Sequence, residues 1–511
     1  MESLNIQLGK IQKGAIFAFS GLFIAKFLGY LYKFIAARIG VESYGVLSLG
    51  IMVYGLINII ALFGIDGGVT RFTAYYLGQN NGGKIKSLLK FSAKIIIPLS
   101  LIGSLFLFFY SDYIALTFFK NQELTLVLKL FSIIIPFEAI RAVYFGIIRG
   151  FQNLKYEFYS KYIVEGTVRI FLTLILIYLG FGLIGATIAY IGAVIMSFIF
   201  AQFYLLKIYK KIKTKTSFLS KLEKNDFLSY SWPFMFHTIL GLALISIDSF
   251  MLGYFKPISE VGIYNAIAPI ARLTYIIPIS ILSLFIPTLT RLYAKNDLKM
   301  FKSIYLLVYK FIFKLNFPLL LIIIIFPQMI LSILFGNVYV VGYQGLVILT
   351  AGFFVMYYSF VSRDLLFVFK KSKVVSMVSL MAVLINIVLN YILIRPYGVL
   401  GAAIASSISL FFFGFLIFII AYIQSKIFPF DKKYLGVLIS GIFSVIIIKF
   451  IARFLDSSSK IITIFLIFNF LIIYLFLLFI TKSIEKEEKI FIKEIYSLFI
   501  TKMKSFKSRT K

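Results

Sequence analysis

Apolar stretches of about twenty residues, separated by short polar segments, recur along the whole chain. A helix of that length matches the hydrocarbon thickness of a bilayer. The pattern predicts spans near 14–37, 43–66, 91–110, 124–148, 162–180, 183–206, 232–254, 262–290, 303–335, 341–362, 374–394, 398–425, 434–455 and 461–481. The expected fold class is an all-α polytopic membrane protein with about fourteen transmembrane helices. No connection exceeds about 25 residues, which leaves no room for a folded soluble domain. Residues 482–511 mix Lys and Glu with Ile, Phe and Leu and read as a basic, amphipathic cytoplasmic tail.

Composition agrees with the pattern. The chain is 61% hydrophobic and 14% charged, against about 45–50% and about 25% for soluble domains. A net charge of +32 would by itself suggest nucleic acid, but the cations alternate from one connection to the next. Lys84, Lys86, Lys90 and Lys94 follow the second span, seven lysines from Lys207 to Lys224 follow the sixth, and Arg363, Lys370, Lys371 and Lys373 follow the tenth. Roughly 37 basic residues fall on one side and roughly 6 on the other, which predicts cytoplasmic termini in the cell membrane. The basicity then marks topology and attraction to anionic membrane lipids, with no nucleic-acid partner. No small-residue cleavage site follows the first apolar run, so no signal peptide is expected. The absence of cysteine excludes disulfides, thiolate metal sites and thiol catalysis, and a single histidine, His237, argues against a histidine-built centre.

The chain also repeats itself. GFGLIGATIAYIGA, from Gly180, pairs with PYGVLGAAIASSIS, from Pro396, about 216 residues later. AARIGVESYGVLSLGI (36–51) pairs with GYFKPISEVGIYNAIA (253–268), and 64–89 pairs with 283–305 in a register that aligns Arg71 with Arg291. Each copy holds six spans, so both enter the membrane with the same orientation. The expected organisation is a six-helix lobe over 1–212, a second over 213–425, an added hairpin over 426–481 and the tail 482–511. Such a layout is that of a transporter with a central path.

Those segments, with GIDGGVTRFTAYYLGQNNGG after the first and 140–190 in the middle, resemble the polysaccharide-biosynthesis flippases of the multidrug/oligosaccharidyl-lipid/polysaccharide exporter superfamily. The resemblance covers about residues 10–425 of the chain. It implies a MATE-like, V-shaped, alternating-access carrier for lipid-linked sugars. The expected span count is also that of the related lipid II flippases, whose first-span pattern AKFLGYLYKFIAAR (25–38) follows. Against that pattern Lys26 and Arg38 fall where those proteins carry arginine, Tyr32 replaces a further cavity arginine, and Lys33 replaces an acid.

A charge at the centre of a bilayer costs about 2.5–3.5 kcal/mol on insertion scales, so each one needs a reason. Lys129, Lys310, Lys314 and Lys449 stand near span ends, where long stems can snorkel to headgroups. Arg141 lies three residues after Glu138 and Arg169 four after Glu165, spacings that put each pair on one helix face. Lys26, Lys33 and Arg272 have no acid three or four residues away. They are the leading candidates, with Arg141 and Arg169 behind them, to bind a phosphate or diphosphate headgroup from opposite lobes. Asp248, beside Ser246 and Ser249, is a candidate for Na⁺ or H⁺ coupling or a counter-charge to Arg272; no other cofactor is expected. Asn386 and Asn390 are expected to bond across helices.

The function expected from these features is a flippase, not an enzyme. It would move a lipid-linked oligosaccharide, carried on polyprenyl phosphate or diphosphate, from the cytoplasmic to the outer leaflet as a monomeric unit, for surface polysaccharide or glycoprotein assembly. A multidrug exporter of the same fold is one alternative and would favour cavity acids over lysines. A membrane glycosyltransferase or polymerase is the other and would call for a long external catalytic loop.

Overall fold

The computed structural model describes residues 24–210, 217–455 and 459–483. The first part of the first expected span, the 211–216 loop and nearly all of the basic tail lie outside the described residues. Among the described residues every regular element is a helix. Nine helices among the described residues are long and apolar enough to cross a membrane, or ten if the bent pair Lys221–Ala243 and Ser246–Phe255 counts as one span. The protein is therefore a multi-spanning, all-helical membrane protein.

Where the expected spans and the long helices part company, the backbone is broken. The span expected at 124–148 is two helices, Glu123–Ser132 and Ile135–Gly150. The one expected at 162–180 starts in a π-helical stretch, Phe158–Val164, and continues as Glu165–Tyr178. Conversely, Ser372–Ser425 holds two expected spans in one 54-residue element, kinked at Gly398 with φ 53° and ψ −128°. That backbone conformation suits glycine alone. Its partner in the repeat, Gly182, also stands at positive φ, 47°.

One geometry recurs at several helix ends. Asn80, Gln152, Asn296 and Lys370 adopt left-handed φ of 54°, 57°, 56° and 58°, and Lys482 one of 50°. In each case that residue's N–H and the next one's reach back over the last turn, as Asn80 to Leu77 O at 3.0 Å and Asn81 to Tyr76 O at 2.9 Å. This double bond satisfies carbonyls that the helix leaves open. Asn81 and Asp297 then cap the following helices, accepting from Lys84 N–H and Met300 N–H, both at 3.1 Å. Arg71 lies nine residues before Asn80, and Arg291 five before Asn296. Measured from the shared turn, the two arginines stand about one helical turn apart.

Prolines inside spans free a carbonyl four residues earlier, because they lack the N–H that would have met it. Within the membrane that carbonyl needs another donor, and three are supplied by hydroxyls. Ser104 donates to Ser132 O at 2.7 Å, opposite Pro136. Tyr44 donates to Asn265 O at 3.3 Å, opposite Pro269. Tyr474 donates to Lys314 O at 2.9 Å, opposite Pro318.

The chain divides into two compact units, Met1–Ala266 with Asn390–Ala402, and Ile267–Leu389 with Ala403–Lys511. In the first unit, Ile65–Gly78 and Gly82–Phe109 pack on Ile135–Gly150, which in turn meets Gly182–Tyr209. Its core gathers Ile65, Val69, Tyr76, Leu88, Val143 and Phe227, all essentially buried.

In the second unit the hairpin of Lys433–Ala452 and Lys460–Ile480 packs on Leu298–Ile325. Apolar contact among Phe317, Phe354, Val437, Tyr474 and Leu478 supplies the join. Lys310 and Lys314 do not snorkel. Lys310 pairs with Asp431 at 2.5 Å, and Lys314, 6% exposed, donates to the carbonyl of Ser483 just past the end of the last helix. A cation there also meets the negative end of the helix dipole. Replacing Tyr474 by Phe leaves the Lys314 carbonyl without its hydroxyl donor and is expected to destabilise the protein by about 1–3 kcal/mol. Thermal unfolding in detergent checks this, with the exposed Tyr422→Phe as the unchanged control.

Candidate functional site

The strongest concentration of buried charge lies in the first unit, on two helices whose bridged residues, Arg141 and Glu165, are 24 apart in the sequence. Ile135–Gly150 carries Glu138 and Arg141 one turn apart, and Glu165–Tyr178 begins with Glu165 and places Arg169 one turn on. Both helix-face pairs expected from the spacing form: Arg141 Nη2 donates to Glu138 and Arg169 Nη2 to Glu165. Arg141 Nη1 also crosses to Glu165 and joins the pairs into one ladder, Glu138–Arg141–Glu165–Arg169. The side chain of Arg141 is 3% exposed, whereas that of Arg169 retains 17%.

Aromatic rings enclose the open end of the ladder. The Arg169 guanidinium lies 4.1 Å from the ring of Tyr190 and 5.2 Å from that of Tyr32. Tyr190 meets Tyr54 and Phe131 edge-on, at 6.3 Å and 5.4 Å. Rings that face a guanidinium stabilise its charge without neutralising it. Donor capacity is left over: the Tyr32 hydroxyl and the Nε atoms of Arg141 and Arg169 are buried and make no hydrogen bond to described residues. The ladder therefore balances its formal charges while holding spare donors beside an arginine that is still accessible, an arrangement suited to an anionic oxygen.

The remaining candidates are placed differently. Lys26 is exposed and Lys33 half-buried on the helix over 24–36, on either side of the buried Tyr32. Arg272 belongs to the second unit, half-buried in the 3₁₀ segment Arg272–Tyr275 that follows Pro269, with its guanidinium 5.4 Å from the Phe353 ring. All three interact with neighbouring groups, which local sequence spacing could not reveal.

Asp248, 4% exposed, accepts from the Tyr264 hydroxyl at 2.6 Å and the Asn390 amide at 2.7 Å. Beside it Asn265 donates to Ser249 at 3.1 Å. Asn390 thus bonds across helices as expected, and Asn386 does so to Ser406 at 3.2 Å. Tyr264, Asn265, Tyr190 and Tyr54 carry no sequence signal: aromatic and amide residues are common in such spans and only tertiary packing selects these. Among the described residues no three His, Asp or Glu side chains gather as a metal-binding group.

A family model described as "Polysaccharide biosynthesis protein" matches residues 11–293, more than half of the chain, and a second, described as "MatE", matches 233–392. The chain is 25% identical to an uncharacterized membrane protein of Methanocaldococcus jannaschii, over 88% of this chain and 91% of that one. It is 23% identical to a putative O-antigen transporter of Shigella flexneri, over 73% of this chain and 88% of the relative. Among solved structures it resembles lipid II flippase MurJ in an inward closed conformation, with TM-score 0.70, 16% identity, and coverage of 94% of this chain and 100% of that one. The fold is accordingly that of the MATE and MurJ transporters, and the chain belongs to the polysaccharide biosynthesis protein family.

Proposed function

We propose that the protein is a flippase carrying a lipid-linked oligosaccharide, on polyprenyl phosphate or diphosphate, from the cytoplasmic to the outer leaflet by alternating access. The observation that carries this reading is the buried ladder of the first unit, with Arg169 as its accessible, aromatic-lined end. Tyr32 stands where the lipid II flippases are expected to carry an arginine, and Arg169 brings a guanidinium within 5.2 Å of that ring from another helix. The relatives named as an O-antigen transporter and as a probable glycan biosynthesis flippase of Haloferax volcanii support the substrate class.

In the mechanism, Arg169 binds the phosphate with the donors that Glu165 leaves free, Arg141 shares that acid and so weakens its hold on Arg169, and Lys26 and Lys33 contribute further positive potential. The lobes 1–212 and 213–425 move about the bound headgroup while the lipid tail stays in the bilayer. Both termini are cytoplasmic, the transport unit is a monomer, and Asp248 takes up Na⁺ or H⁺ during the cycle. With the cytoplasm negative, each negative charge moved outward gains about 2.3 kcal/mol per 100 mV. No bond is made or broken, so no residue is assigned a catalytic role. A multidrug exporter would present acids to its cargo; Glu138 and Glu165 are instead occupied by arginine.

Arg169→Ala tests the reading, because Glu165 keeps its bond to Arg141 and the fold has little to lose. Export is expected to fall by about 10–100-fold at unchanged levels of inserted protein, the range set by one charge-assisted hydrogen bond. Lipid-linked glycan should then collect in the cytoplasmic leaflet. Arg169→Lys should retain partial export, since the charge survives without the planar fork. Leaflet distribution of the glycan is the measurement, and undiminished export by the alanine variant would overturn the proposal.

A further inference from the structure

A recess in the first unit lies away from the ladder. Its volume is about 460 Å³, and it is walled by Asn80, Asn81, Gly82, Asn153, Tyr156 and Lys207 together with apolar side chains, Phe151 among them. Volumes of about 300–1,000 Å³ are typical of small-molecule sites, which set a few polar groups in a mainly apolar lining. The walls are the left-handed turn at Asn80, the turn that follows Gln152, and the end of Gly182–Tyr209.

The chemistry of the lining is one-sided. It holds a lysine and three carboxamides, and no acid. Asn81 Oδ1 already accepts from Lys84 N–H, which leaves its NH₂ as the donor available to a ligand. Asn153 heads the short helix Leu154–Glu157 yet does not cap it with its side chain. The 28-residue helix Gly82–Phe109 begins at this wall with two glycines, whose N–H groups have no acceptor within the helix and no side chain to screen them. Tyr156 closes one side, its ring stacked on Tyr204 at 4.4 Å and 11°. Leu77, in the lining, and Leu154 and Leu206, next in sequence to Asn153 and Lys207, are exposed apolar side chains and form the rim.

We propose that this recess binds the phosphate of an anionic membrane lipid, with the acyl chains lying over the exposed apolar rim. Lys207 supplies the charge, Asn81 and Asn153 supply neutral donors, and the first turn of Gly82–Phe109 supplies backbone N–H groups. A free phosphate would share the polar chemistry but gain nothing from the rim. The site touches none of the ladder residues, so its fate is independent of the transport reading.

The test uses the full-length protein in micelles and native mass spectrometry with phosphatidylglycerol, phosphatidylcholine or inorganic phosphate. One phosphatidylglycerol should be retained more tightly than the rest. The combined Lys207→Gln and Asn153→Leu variant should weaken it by about tenfold or more, and phosphatidylcholine should not replace it. Lys210→Gln, an exposed lysine outside the recess, should leave retention unchanged and so separates the site from general surface basicity. Millimolar inorganic phosphate should not displace the lipid. Should the double variant fail to fold, Lys207→Gln alone carries the comparison, with lipid-dependent thermal stabilisation as the second readout. Equal retention by wild type and variant, equal binding of phosphatidylcholine, or displacement by inorganic phosphate would each overturn the proposal.

Discussion

Arg141→Ala is expected to cost about 3–5 kcal/mol of stability and most of the correctly inserted protein, far more than Arg169→Ala costs. Arg141 bridges Glu138 and Glu165 from a position 2% exposed to solvent. Its removal leaves two carboxylates close together, with Glu165 held by Arg169 alone and Glu138 without its arginine. Breaking a buried pair is expensive because the surviving charge stays desolvated, whereas replacing the whole group by neutral residues of similar volume is often harmless. The quadruple variant Arg141→Met, Glu138→Gln, Glu165→Gln, Arg169→Met, which neutralises the whole ladder, should therefore recover the thermal stability that Arg141→Ala loses, without recovering export. Size-exclusion profiles and unfolding midpoints in detergent read the first effect, and leaflet distribution of the glycan reads the second. Equal midpoints for wild type and Arg141→Ala would mean that the ladder does not carry the charge balance assigned to it.

The difference between the two arginines is invisible in the sequence, where both appear as cations one turn from an acid. Spacing reveals neighbours along one helix; the Arg141–Glu165 bridge joins residues 24 apart and depends on how two spans pack. Hydropathy located the apolar segments well, including both arms of Ser372–Ser425, but it is blind to a backbone that breaks its hydrogen bonds. It therefore shows neither the break between Ser132 and Ile135 nor the π-helical stretch Phe158–Val164 that leads into the span expected over 162–180.

Lys314 failed as a snorkelling lysine for a related reason. Distance from a span end was judged along its own helix, while the partner that buries it, the C-terminal hairpin, arrives from about 170 residues away. The alignment of Arg71 with Arg291 followed a shared Thr-Arg pair, and the conformationally fixed landmarks are the left-handed residues Asn80 and Asn296. What the sequence carried best was the pairing of glycines. Gly182 and Gly398 share a positive φ, and a second pair, Gly45 and Gly262, meet in space.

That meeting sets the other large expected effect. A Cβ on Gly45 would collide with the carbonyl oxygen of Ile258 and stand 3.0 Å from the Gly262 nitrogen; one on Gly262 would collide with Val41 O and stand 3.2 Å from Gly45 N. The obstacles are backbone atoms on both sides, so no side chain can rotate away. Val41–Leu62 and Ile258–Ala271 approach this closely only because both carry glycine at the crossing, the small-residue contact by which membrane helices gain packing. Tyr44, next to Gly45, donates to the carbonyl of Asn265 beyond the crossing and holds the same contact. Gly45→Val is expected to cost about 3 kcal/mol through overpacking. Gly55→Ala, in the same helix with nothing within 4 Å of a new Cβ, should be neutral or stabilising by up to about 1 kcal/mol. Because the chain has no cysteine, the contact can be read directly with a single Ile258→Cys, a position 5% exposed. A water-soluble maleimide should label it slowly in the otherwise native protein and at least tenfold faster with Gly45→Val, as the crossing opens. Unchanged labelling together with an unchanged unfolding midpoint would show that the two glycines do not hold the helices together.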